Sequence, residues 1–401
     1  MFTLIKNARV YTPEPRGICD ILVCGETVAR LGSFEVPSGW EVETVDLQGM
    51  VLTPGFIDAH VHLLGGAGGW GLASRFTDIS FSELVAEGIT TVVGCLGTDT
   101  LSKNLWNLLA KVRALDEDGL SAFMYAGGNV HPLPSITGSL KTDIWLVDKI
   151  IGAGEVTVSD LGAGAASMTS PEYIARIAVD AMEAGQAVGK VGIVCLHLGN
   201  EGMAAVFEVL ERTGLPISVF LPTHVNRNAK CLDEAKKFLE LGGCVDLTTS
   251  YEPGHAAIPA PSALAELAGS DSWARRVSMT SDGNAGLTIR AEGGDSATLV
   301  YHSVATLPHA FRDAVTNHGV PLERALSTIT LNPARFHRLT RKGRVVPGAD
   351  ADLVALGDDL RVREVWARGR RVVREGEVVV RGMAEEAKLK ARATRGGTAH
   401  E

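Results

Sequence analysis

Between residues 55 and 343 the chain repeats one pattern: a short apolar run of strand length, then, for most repeats, a longer segment with helical periodicity. Eight such runs can be counted, at 56–62, 89–95, 121–127, 155–160, 191–197, 217–224, 244–249 and 277–282. Helices are predicted over 102–118, 171–187, 202–213, 229–241, 300–318 and 321–330. Short apolar strands alternating with helices are buried on both faces only when the strands lie parallel and the helices cover them. Eight repeats therefore predict an α/β fold, a (β/α)8 TIM barrel. The stretch TSPEYIARIAVDAMEAG carries its own start signal, a serine cap followed by proline and glutamate.

The two ends of the chain read differently. Residues 1–54 and 344–384 are short β-branched runs broken by Gly, Pro and Asn. Neither is large enough to fold alone, so together they are expected to form one small β-sandwich domain beside the 55–343 barrel. Six arginines at positions 361 to 374 fit the solvent-facing sides of edge hairpins. Residues 385–401, charged and glycine-containing, predict a frayed C-terminal tail.

Composition narrows the function. A formal net charge of −9 argues against a general nucleic-acid binder, which would present a basic face. No apolar run is long enough to span a bilayer, and the N-terminus goes straight into strand-like alternation; a cytoplasmic protein with no membrane partner is expected. The six cysteines form neither a C-x-x-C motif nor a dense framework, so they read as thiols in a reducing compartment. Neither a G-x-S-x-G elbow nor a phosphate-binding glycine loop occurs.

Ionisable residues gather at the C-terminal ends of the proposed strands, where barrels of this kind hold their active sites. Strand one ends in His60 and His62, which alternation turns to the same side. Strand four begins with Glu155 and ends in Asp160, strand five ends in His197, strand six in His224 and strand eight in Asp282. Four imidazoles with carboxylates are a ligand inventory for one or two zinc-like ions. His131 and His255 lie in loops that could roof such a site, whereas His302, His309, His318, His337 and His400 read as surface or packing residues.

These residues carry a resemblance. PGFIDAHVHL, the histidines ending strands five and six, SDGN at the eighth and the closing GRVVPGADADLVAL resemble the amidohydrolase superfamily. RGICDILV, VVGCLGTD, ITGS, LPTHVNRN and TSDGN narrow the likeness to the isoaspartyl (β-aspartyl) dipeptidase family, over residues 1 to about 384. The resemblance implies two zinc ions: His60 and His62 on the more buried one, His197 and His224 on the other, and Asp282 as ligand and proton shuttle. In that family a carboxylated lysine bridges the ions; here its position is Glu155, a carboxylate on a shorter stem that needs no carbon dioxide. The resemblance also implies homo-oligomers and a small-molecule amide or dipeptide substrate. Its substrate-binding positions fall here on Gly69, Asn129, Gly162, Gly286 and Arg227, and only Arg227 is kept in kind. The leading expectation is metal-dependent hydrolysis of a small amide, by default an isoaspartyl dipeptide. The alternatives are an N-acyl amino acid, a cyclic amide or imide, or another dipeptide; a catalytically silent metabolite-binding scaffold stands as the reading from a different class.

Overall fold

The computed structural model describes residues 2–35, 37–66, 72–158, 169–250, 258–290 and 297–396. The N-terminal strands are β1 (Phe2–Tyr11), β2 (Pro15–Cys24), β3 (Thr27–Gly32), β4 (Val42–Asp46) and β5 (Val51–Pro54). Eight strands follow: β6 (Phe56–Val61), β7 (Ile89–Gly94), β8 (Ser121–Ala126), β9 (Ile150–Val158), β10 (Ile193–Leu198), β11 (Phe220–Thr223), β12 (Val245–Thr248) and β13 (Val277–Thr280). A hairpin, β14 (Gly286–Arg290) and β15 (Ala297–Tyr301), comes next. The last strands are β16 (Leu353–Leu356), β17 (Val362–Ala367), β18 (Arg370–Arg374) and β19 (Glu377–Val378).

β6 to β11 form one parallel six-stranded sheet in chain order, and β12 and β13 pair in parallel. Two links close the ring. Val61 bridges to Gly283 just beyond β13, and the Val225 N–H after β11 donates to Asp246 O on β12. β6, β7 and β9 are buried along their whole length, because helices cover the outside and side chains fill the inside. The interior filling is Ala59, Val93, Tyr125, Ile151, Ile193, Cys195, Leu221 and their neighbours.

The strands from both chain ends make one mixed nine-stranded sheet around Ile5, Val10, Ile21, Leu52, Leu353 and Trp366. β5 pairs with β16 and runs through Gly55 into β6, so this sheet is joined directly to the first barrel strand. Gly55 permits that passage: a Cβ there would sit 2.1 Å from Thr90 Oγ1. The buried Lys342 ammonium fastens the same seam, bonding Asp352 and donating to Ser121 Oγ on β8 at 2.5 Å. The arginines at 361–374 do line hairpin sides, where Arg363 pairs with Asp359, Arg368 with Glu26 and Arg371 with Glu364.

The helices predicted over 102–118, 171–187, 202–213, 229–241 and 321–330 are present, with ends moved by up to three residues. Ser170 caps the second of them by accepting from Tyr173 N, with Pro171 in the first turn. Three expectations are corrected. The helix expected over 300–318 is Thr306–Thr316, preceded by β15, because ATLVY is β-branched and aromatic. Strand four starts at Ile150, so Glu155 lies inside it rather than at its start. The expected frayed tail contains the helix Met383–Gly396. Glu385 anchors that helix by accepting from Gly382 N at 3.0 Å and from Ser82 N at 3.2 Å.

His337 is a packing residue, as read from the sequence. It is 2% exposed, its Nδ1–H donates to Pro333 O at 2.7 Å, and its Nε2 accepts from Tyr125 Oη at 2.6 Å. Burial pushes its pKa down to about 4, against the Pro333 bond. Because the unfolded imidazole titrates near 6.5, this stabilisation is complete above that pH and is lost as the pH falls from there to about 4. The loss should approach about 3 kcal/mol. Denaturant midpoints of wild type and His337→Gln, compared between pH 7.5 and 4.5, should diverge accordingly; parallel curves would refute the assignment.

Candidate metal centre

The site is built where barrel strands stop. His60 lies on β6 and His62 follows one residue after its end; Glu155 comes from β9 and His197 from β10. His224 is the first residue beyond β11, and Asp282 is the second beyond β13. Both have left-handed backbones, with φ of 61° and 52°. That conformation costs about 1–2 kcal/mol for a residue with a Cβ, so surrounding bonds must hold it. His224 Nδ1 shares a 2.5 Å hydrogen bond with Thr248 Oγ1, and its carbonyl accepts from Arg227 N. The loop after Asp282 is clamped by His62 N to Gly283 O and by Asn284 Nδ2 to His62 O and Thr77 O.

Two further buried carboxylates rivet the strands below the mouth. Asp58 on β6 accepts from Ser281 N at 3.1 Å and Ser281 Oγ at 2.5 Å, fixing β6 against the end of β13. Burial pushes Asp58 up to about 7, with the two Ser281 bonds opposing. Asp246 on β12 accepts from Thr223, Ser278 and Thr280 hydroxyls at 2.6–2.7 Å, joining β11, β12 and β13.

Above these rivets everything converges on Glu155, 2% exposed. Its Oε2 lies 3.5 Å from His60 Nε2 and 3.8 Å from His62 Nε2. Its Oε1 contacts His197 Nδ1 and lies 3.1 Å from His224 Nε2. The carboxylate thus divides four imidazoles into two pairs, one on each oxygen. Asp282 Oδ1 joins the first pair, 3.0 Å from His62 Nε2 and 3.6 Å from His60 Nε2.

Divalent ions fit this arrangement. Neither ring nitrogen of His60 has a hydrogen-bond partner among the described residues, although both are buried. His197 Nδ1 and His224 Nε2 are 3.0 Å apart, two ring nitrogens aimed at one oxygen. Burial alone would raise Glu155, yet His197 and His60 hold it well below the usual carboxylate range. Burial likewise opposes ionisation of Asp282, yet it too is held low, by the facing His302 and His62 imidazoles. Buried carboxylates set among four imidazoles are a donor set suited to divalent cations. Two donor groups that could each hold an ion, His60, His62, Cys95 and Glu155, and Glu155, His197 and His224, have Glu155 in common, the arrangement of a binuclear centre.

Residues 51–372 match the amidohydrolase family model. The chain belongs to the amidohydrolase family. This amidohydrolase is similar to the crystal structure of a β-aspartyl dipeptidase from Fervidobacterium islandicum AW-1 in complex with a β-Asp-Leu dipeptide. The identity is 34% and the TM-score 0.86, covering 94% of this chain and 98% of that one. A D-hydantoinase from a Thermus species shares the fold, with 17% identity and a TM-score of 0.68 over 95% of this chain and 97% of its own. A dihydroorotase from Geobacter sulfurreducens is 32% identical over 226 residues, 51% of this chain and 48% of the relative. The match thus spans about half the length of that curated relative.

Of the other expected site residues of this amidohydrolase, Arg227 and Asn129 reach the centre. Arg227 Nη2 lies 3.5 Å from His197 Nε2, and its Nε is buried without a hydrogen-bond partner among the described residues. Asn129 accepts from Thr157 Oγ1 at 2.6 Å, which turns its Nδ2 towards Glu155 Oε2 at 3.5 Å. At Gly286 a Cβ would sit 2.3 Å from Phe76 Cε2, so Phe76 fills the space of a side chain. His131 bonds Thr169 Oγ1 at 2.7 Å and stacks edge-on against Tyr173. Gly69, Asp160, Gly162, His255 and His400 lie outside the described residues.

Two residues near the centre escaped sequence reasoning. His302, read as surface or packing, brings Nδ1 to 3.5 Å from Asp282 Oδ2. Cys95, read only as a buried thiol, places Sγ 3.9 Å from His62 Nδ1 and within reach of the first donor group. It stands just past β7, and VVGC alone gives no sign that β7 neighbours the strand bearing His60. Cys95→Ala is expected to weaken retention of one ion by about 10–100-fold, the usual effect of disturbing a ligand's surroundings. Competition with a fluorescent chelator reads this directly, and unchanged retention would remove Cys95 from the centre.

Proposed function

We propose that this protein is a zinc-dependent hydrolase of small amides, with a β-aspartyl (isoaspartyl) dipeptide as its default substrate. The observation that carries the reading is the division of His60/His62 and His197/His224 between the two oxygens of Glu155. In this reading His60 and His62 would hold one ion with Asp282, His197 and His224 would hold the other, and Glu155 would serve both. Imidazole and carboxylate donors with a neighbouring thiol suit zinc. Bound ions of this kind lower the pKa of a coordinated water and polarise a carbonyl.

The chain's own residues do the rest. Asp282 takes a proton from the attacking water and passes it to the leaving nitrogen, as base and then acid. Its backbone position, fixed by Asp58 and Asn284 neighbours, keeps that carboxylate over the centre. Arg227 pairs with a substrate carboxylate, and Asn129 offers an amide N–H to the carbonyl oxygen as charge develops on it. At Gly286, where Phe76 fills the space of a side chain, the chain offers the substrate no group of its own. An N-acyl amino acid, a cyclic amide or imide, or a different dipeptide is the second reading. It is favoured by Asn129, whose carboxamide is tied to Thr157 and Glu155. The 1–54 plus 344–384 domain supports the 55–343 barrel in this proposal, which also takes the protein as cytoplasmic and homo-oligomeric. Among the described residues no helix is long and apolar enough to cross a membrane, and the six cysteines are free thiols.

The test is a hydrolysis screen of zinc-loaded protein on isoaspartyl dipeptides beside N-acyl amino acids and cyclic amides. At least one class should turn over, with activity lost on chelation and restored by zinc. Full activity in protein stripped of ions would end the reading, and so would inertness towards the whole panel.

A further inference from the structure

We propose that His302 is a positioning residue for Asp282, its Nδ1–H holding the Oδ2 oxygen so that Oδ1 stays at the metal centre. This rests on the hydrolase reading for its kinetic consequence but not for its geometry.

Three observations converge on it. His302 Nδ1 lies 3.5 Å from Asp282 Oδ2, while the other oxygen of the same carboxylate faces His62 and His60 at 3.0 and 3.6 Å. That nitrogen is buried and has no other hydrogen-bond partner among the described residues. A buried N–H left without an acceptor is costly, and Asp282 Oδ2 is the acceptor within reach. A small turn of the carboxylate shortens the contact to a full hydrogen bond.

The backbone of His302 is fastened to the same loop. Its N–H donates to Ala285 O at 3.0 Å and its carbonyl accepts from Asn284 N at 2.7 Å. His302 is therefore tied to the backbone of the loop that follows Asp282. The loop that follows the left-handed Asp282 is held by the His302 backbone at Asn284 and Ala285, and the His302 imidazole faces the Asp282 carboxylate. A carboxylate free to rotate would offer its two oxygens to the centre indifferently. One held at Oδ2 keeps one oxygen inward and leaves the other at a defined place to receive a proton. Misplacing a catalytic group by about 1 Å can cost about 10²-fold in rate.

The experiment compares wild type, His302→Leu, His302→Asn and His302→Gln, each prepared as holoenzyme and also loaded with cobalt(II). The Asn amide nitrogen overlays Nδ1 of histidine, whereas that of Gln overlays Nε2. His302→Leu should keep its metal content, alter the visible ligand-field bands of the cobalt enzyme, and lose about 10²-fold in kcat with little change in KM. His302→Asn should restore the bands and most of kcat; His302→Gln should do neither. Cobalt spectra of His302→Leu identical to wild type would overturn the proposal, as would equal rescue by Asn and Gln. The spectra decide even if no amide turns over, and that failure would count against the hydrolase reading alone.

Discussion

Asp282→Asn is expected to reduce turnover by about 10³-fold or more while leaving both ions in place. The asparagine oxygen can still reach towards His62 and the buried ion, so the ligand set survives in weakened form. What disappears is the group proposed to carry a proton between water and leaving nitrogen, a role worth about 10²–10⁴-fold in enzymes generally. Because Asp282 is also the carboxylate closest to His62, at 3.0 Å, the variant must be analysed for metal before its rate is interpreted. Full metal content with a collapsed kcat supports the shuttle. A rate within tenfold of wild type at full metal content would assign the proton transfer elsewhere.

The second large effect concerns Glu155. Among the described residues Glu155 is the one carboxylate that lies within 4 Å of all four imidazoles, so in Glu155→Ala both ions should be lost together rather than one. Each ion present at 100 times its dissociation constant stabilises the fold by about 2.7 kcal/mol, and that contribution should vanish from the melting curve in zinc. Glu155→Gln should fall between, since its amide oxygen can serve one ion but carries no charge to hold two. Metal analysis and the zinc dependence of melting check this. An alanine variant that retains two tightly bound ions would show that Glu155 is a neighbour of the centre and not its bridge.

Much of the site was readable from residue spacing. His60 and His62 declare themselves because alternation on a strand puts both on one face, and His197, His224 and Asp282 because each follows an apolar run. The barrel itself follows from the eight repeats. What could not be read depended on contacts between distant segments. Cys95 and His302 carry no local mark; closure of the barrel brings them to residues 33 and 20 positions away in sequence, His62 and Asp282. The early start of β9 was hidden by Gly152 and Gly154, which look like turn residues. They are small because neighbours press in: a Cβ on Gly152 would meet Ile193 O at 2.2 Å. The C-terminal helix was misread through charge, although EEAKLKARA is composed largely of strong helix formers.

The left-handed backbones at His224 and Asp282 bear on how this protein can be improved. A search for heat-tolerant variants would find glycine attractive at both places, since it relieves strain there without disturbing the barrel. Each such gain would delete a side chain from the centre. Selection for robustness and selection for turnover therefore pull in opposite directions at these two positions, and libraries aimed at thermal endurance should hold them fixed.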